Sequence, residues 1–98
     1  MVKHIILWTL KDEYAKDEKV KMGIKENLER LLGKIPGLVE INVQKDKLGS
    51  SNADLMLYSV FENEEALKKY STHPEHVYVA DNFVRPYTKT RSCLDFEA

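Results

Sequence analysis

Residues 2–10 read Val2-Lys3-His4-Ile5-Ile6-Leu7-Trp8-Thr9-Leu10. Side chains alternate along a strand, so His4, Ile6, Trp8 and Leu10 share one side and Ile5 and Leu7 the other. Both sides carry apolar groups, which predicts a strand covered on both faces. The run is broken by Lys3 and His4 and followed by Lys11-Asp12-Glu13. It is too short for a membrane span and has no small-residue cleavage site, so neither a membrane partner nor a signal segment is expected.

Beyond this strand the period changes to 3.6. Val20, Ile24, Leu28, Leu31, Leu32 and Ile35 form one stripe, which predicts a helix from about Lys16 to Leu32. Gly23 is costly inside a helix and suggests a close approach to the sheet. Gly33 suits the left-handed position after the helix, and Ile35-Pro36-Gly37 forces an extended turn. Leu38–Lys45 alternates again, with Val39, Ile41 and Val43 on one face. After the loop Lys47–Asn52, the strand Leu55–Phe61 is apolar on both faces through Leu55/Leu57 and Met56/Val60.

Asn63 fits an N-cap, with Glu64 and Glu65 in the first turn and Lys68-Lys69 in the last, matching the helix dipole. Ala66, Leu67 and Tyr70 give that short helix its inward side. Pro74 restarts a helix that is expected to end near Asn82, and Lys89–Glu97 reads as the last strand. The order is β-α-β-β-α-β with the second helix broken. That is the ferredoxin-like α+β pattern, an antiparallel sheet with helices on one face. Helices on one face only would leave Ile6, Trp8, Leu57 and neighbours in water, which implies that a second sheet covers them.

Ninety-eight residues allow one domain, 1–98, with a thin stability margin, so pairing with a second copy is the expected remedy. The 15 Lys+Arg and 16 Asp+Glu are interspersed, which argues against a nucleic-acid partner. The small cluster Arg85, Lys89 and Arg91 reads as a solvated strand face. Cys93 is the lone cysteine, excluding an intrachain disulfide and suggesting a reducing, cytoplasmic setting. Cys93 reads as a small buried hydrophobe in a strand rather than as a nucleophile or redox thiol.

Several anchors together resemble the stress-responsive A/B barrel (Dabb) family of the dimeric α+β barrel superfamily. They are Val2-Lys3-His4-Ile5-Ile6-Leu7-Trp8, Ile35-Pro36-Gly37, Val60-Phe61-Glu62, Tyr70-x-x-His73-Pro74-x-His76-Val77 and Asp95-Phe96-Glu97. The resemblance implies a homodimer whose sheets form a shared barrel, each protomer holding a pocket between sheet and helices. Most members have no assigned activity. In plant polyketide cyclases of this kind, the histidine matching His76 is thought to act as base, beside the tyrosine matching Tyr70. The histidine matching His4 lines the same cavity. This chain departs where Leu55 replaces a histidine and where Ile24 and Leu28 replace aromatic residues, so that substrate does not carry over. Haem-degrading and quinol monooxygenases share the wider superfamily, and nothing in this chain selects them.

These considerations place His76 and Tyr70 as candidate catalytic residues, since an imidazole titrates near neutral pH and a phenol can hydrogen-bond a substrate oxygen. The expected binding surface adds His4, Ile6 and Trp8 from the first strand, Ile24 and Leu28 from the first helix, Leu57, and His73. Each has a plainer reading: His73 as a helix cap, His76 packed or bonded to a carbonyl, His4 as a satisfied buried histidine, Trp8 and Tyr70 as core. His4, His73 and His76 would make a three-histidine metal set, but an N-cap side chain points along the backbone rather than at its i+3 neighbour, so no metal or cofactor is expected. Two functions remain open. One is a small-molecule binder for an apolar, oxygenated ligand, acting if catalytic as a cofactor-free lyase or cyclase. The other is a non-catalytic, stress-related structural protein with a filled interior.

Overall fold

Nine backbone segments alternate as the pattern requires: β1 (Val2–Leu10), a 3-10 turn (Asp12–Tyr14), α1 (Glu18–Glu29), β2 (Leu38–Gln44), β3 (Leu55–Phe61), α2 (Glu64–Thr72), α3 (Pro74–Val79), a π-helical turn (Ala80–Val84) and β4 (Thr88–Glu97). They are seen in a computed structural model that describes Met1–Ala98. The strands form one antiparallel sheet in the order β2-β3-β1-β4. This is the ferredoxin-like α+β fold, with the second helix divided as expected.

Local chemistry sets the helix ends. The Asp17 carboxylate accepts from the N–H groups of Lys19 and Val20 at 3.0 and 3.1 Å, starting α1. The helix stops at Glu29, three residues before the expected end. Leu31 and Ile35 are buried in the turns that follow, but Leu32 points to solvent, because helical spacing no longer governs direction there. Gly33 adopts φ +88°, as expected. Gly23 makes no close approach: an added Cβ would meet nothing within 4 Å. The close approach falls instead at Gly37, where φ is +82° and an added Cβ would lie 2.5 Å from the Ala66 Cβ on α2.

β2 also differs from simple alternation. A register shift between Leu38 and Glu40 turns Val39 out to solvent, so the inward set is Leu38, Ile41 and Val43. As an edge strand, β2 has backbone groups to satisfy. α1 supplies the partners: Glu29 Oε2 accepts from the Val43 N–H at 2.9 Å, and Lys25 Nζ donates to the Val43 carbonyl at 2.8 Å. Lys25 and Glu29 pair with each other at 2.7 Å.

The helices cover the face that the sequence reading left open. Ile6, Trp8 and Leu57 are 5%, 4% and 1% exposed beneath them, in one core with Ile24 and Leu28. The uncovered face instead carries Leu7, Leu94 and Phe96, exposed, with Ile5, Met56 and Tyr58 half-buried. Alternation separates two faces of a strand without saying which one the helices take. The open apolar surface therefore exists, with a different membership.

Candidate functional site

Asn63 begins the helical side of the site, its Oδ1 accepting from the Ala66 N–H at 2.8 Å. One helical turn later Tyr70 follows Ala66 onto the inward side. It is 2% exposed, with its ring 4.9 Å from Phe61. α2 must stop before Pro74, and His73 makes the corner: its Nδ1 accepts from the Glu75 N–H at 3.1 Å. This corner lays the His76 ring against Tyr70, centroids 4.1 Å apart and planes 35° from parallel.

Two polar atoms at this contact are buried and have no hydrogen-bond partner: the Tyr70 hydroxyl and His76 Nδ1. Leaving such groups unpaired costs about 1–3 kcal/mol each, so their placement beside a cavity marks them for a ligand. Burial pushes the Tyr70 pKa up, keeping its hydroxyl a proton donor, and the charge of Arg91 only partly opposes this. Burial pushes the His76 pKa down. The Ser71 carbonyl opposes that shift, while Arg85, His4 and Arg91 reinforce it. Neutral imidazole is the form that accepts a proton.

The sheet side centres on His4, which is 6% exposed and lies edge-on to Tyr70 and Phe61 at 6.2 and 6.3 Å. Directly opposite on β4, the Asp95 carboxylate is hydrogen-bonded to His4 Nδ1. Cys93 joins them, its thiol donating to Asp95 Oδ1 at 3.5 Å with Sγ 3.8 Å from His4 Nδ1. The side-chain donor atoms of His4, Cys93 and Asp95 lie within 4.8 Å of one another. Cys93 is thus exposed and beside a histidine, contrary to the sequence reading. Burial of the thiol, then the Asp95 charge, raise its pKa and keep it protonated.

Between these two sides lies a cavity of about 720 Å³, within the range of small-molecule sites. His4, Ile6, Trp8, Leu57, Tyr70 and His76 all line it. It sits over β1 and β4, beneath α2, α3 and the π-helical turn, rather than along α1 as expected. Leu28 is the α1 residue that reaches it; Ile24 is wholly buried in the core behind. His73 does not line it, because the cap turns its ring toward the α3 backbone.

Sequence reading missed Cys93 and Asp95 as neighbours of His4, and Arg85 and Arg91 as cavity residues. Their signal was present in the element order, since a ferredoxin-like topology sets β4 antiparallel beside β1. Arg85 enters because the π-helical turn, closed by the Arg85 N–H donating to the Ala80 carbonyl at 2.8 Å, swings the chain back over the sheet.

The family model for the stress responsive A/B barrel domain (Dabb) matches residues 2–98. A dimeric protein of unknown function and ferredoxin-like fold from Bacteroides fragilis is 35% identical, with TM-score 0.89, over 99% of this chain and 95% of that one. The At3g17210 protein of Arabidopsis thaliana is 26% identical, with TM-score 0.82, over 100% and 95%. A hydroxynitrile lyase from Passiflora edulis, 17% identical with TM-score 0.80 over 97% and 90%, shares the fold. No curated protein matches by sequence. On the family match and the 35% identity, this chain belongs to the stress responsive A/B barrel domain family.

Proposed function

We propose that this protein binds a small, apolar, oxygenated ligand between its sheet and helices, and acts on it without a cofactor as a lyase or cyclase. The observation that carries this reading is the pair of unpartnered buried polar atoms, Tyr70 hydroxyl and His76 Nδ1, on a cavity whose lining is about half apolar. In the reaction, His76 takes a proton from the carbon α to a ligand carbonyl, and the Tyr70 hydroxyl donates a hydrogen bond to the resulting enolate oxygen. The depressed basicity of His76 favours the neutral base, and the raised Tyr70 pKa keeps the phenol protonated.

The working form is a homodimer whose open sheet faces pack together. Exposed Leu7, Leu94 and Phe96 support this, as does the dimeric description of the Bacteroides fragilis relative. The other reading, a non-catalytic structural protein, requires a filled interior, and the cavity weighs against it.

Deuterium exchange at the α-carbon of small aryl ketones, followed by NMR in D2O, tests the chemistry directly. Exchange accelerated by the protein and lost in His76→Ala is the expected result. If the wild-type protein and His76→Ala exchange the ketones at the same rate, the catalytic reading is wrong.

A further inference from the structure

The three arginines of the chain differ in how their charge is met. Arg30 pairs with Glu26 at 3.6 Å, and Arg85 is hydrogen-bonded to Asp81. Arg91 has no carboxylate partner, its close polar neighbour being the uncharged Cys93 thiol, yet it lines the cavity directly opposite Trp8 in the β1/β4 register. Its charge is felt at Tyr70, His76 and Cys93. A guanidinium turned toward a cavity with nothing to neutralise it is a receptor for an anion.

The remaining charges give the cavity a direction. Along the same face of β4 run Arg91, Cys93, Asp95 and Glu97, so Arg91 and Glu97 stand about 20 Å apart at strand spacing. Glu64 lies at the start of α2, which follows the end of β3 that pairs with Val2, as Glu97 also does. Asp95 is occupied by His4. Lys68 also lines the cavity, one helical turn after Glu64 on α2. The carboxylates therefore gather toward the Val2 end of β1, and Arg91 marks the Trp8 end. Tyr70 and His76 are contributed by the helices above.

We infer that the ligand is an organic carboxylate, with its acid group received by Arg91, its apolar body over Trp8 and Ile6, and an oxygen at the far end meeting Tyr70 and His76. A planar guanidinium matches a carboxylate through two parallel N–H donors. This rests on the cavity being a ligand site, as proposed above, and adds the class of ligand. Arg91 becomes a specificity residue, and Cys93 and Thr88 are the cavity neighbours nearest it in sequence.

The test uses 3-(4-hydroxyphenyl)propanoate and its primary amide, which differ in charge and little in shape. Trp8 is the lone tryptophan and lines the cavity, so its fluorescence reports binding of either probe. The acid is expected to bind about tenfold more tightly than the amide, the effect of one charge-assisted pair. Arg91→Met should abolish that preference, acid affinity falling about tenfold further than amide affinity, and Arg91→Lys should keep part of it. Arg91 is exposed, and an unchanged near-UV spectrum verifies that the variants fold. Equal binding of acid and amide to the wild type overturns the carboxylate assignment and leaves the ligand site standing. A preference that survives in Arg91→Met overturns it too. If neither probe binds, both the ligand site and the inference fall.

Discussion

His4 and Asp95 are 91 residues apart in sequence and face each other across the β1/β4 ladder, the carboxylate bonded to Nδ1 of the imidazole. The bond fixes the ring's orientation and leaves Nε2 as the nitrogen without a hydrogen bond inside the protein. Cys93 sits against both groups, so the three side chains respond together when one is changed.

Asp95→Asn removes a negative charge beside the Cys93 thiol and weakens the hold on His4. Burial still raises the thiol pKa, but the Asp95 contribution is gone. The rate of alkylation by iodoacetamide should therefore rise at lower pH in the variant than in the wild type. Because Asp95 is partly exposed, the stability loss should stay near about 1 kcal/mol in urea unfolding.

His76 makes stability depend on pH. Burial lowers its pKa in the folded state, so the unfolded chain binds a proton at a pH where the folded chain does not. Stability should fall as pH drops below about 6.5, and continue falling until the folded-state pKa is passed. His76→Gln should flatten this part of the profile in urea titrations between about pH 7 and 5.

Tyr70→Phe deletes a hydroxyl that has no partner. Without ligand the variant should be as stable as the wild type, or more stable by up to about 1 kcal/mol. Ligand-dependent stabilisation and turnover should fall. A thermal melt with and without an aryl ketone separates the two effects; a strongly destabilised apo variant would show that the hydroxyl is structural.

Two glycines should respond in opposite directions. Gly23→Ala fills open space in α1 and should stabilise by about 0.5–1 kcal/mol. Gly37→Ala forces a side chain into positive φ and against Ala66, and should destabilise by roughly 2–4 kcal/mol. Urea midpoints of the two variants check both signs.

Leu94→Arg places a charge on the open sheet face, away from the cavity, on the side shared by Ile5. Sedimentation should show a shift from dimer toward monomer, while Arg85→Lys, at the cavity, should leave assembly unchanged. Wild-type protein that sediments as a monomer would remove the basis for the dimer.

The caps and turns were legible because each depends on a few neighbouring residues. Asn63, His73 with Pro74, and the left-handed Gly33 perform the roles their chemistry suggests, and Asp17 caps α1 in the same way as Asn63 caps α2. Tyr70 and His76 were also legible as a pair, six residues apart around a helix break. The β2 bulge was not, since one extra residue at Val39 depends on how the partner strand is set.

Period, capping and turn chemistry were enough to establish the order of strands and helices and the presence of apolar groups on both faces of β1, because those properties are written within a few residues. Which face the helices cover, where the cavity opens, and which side chains meet in it depended on register and on packing between distant segments. That is why Ile24 and His73 fell away from the site, while Arg91, Cys93 and Asp95 entered it from the opposite end of the chain. Hydrogen bonds between β1 and β4 brought them there, and a shift of one residue in that ladder would have turned all three to the other face.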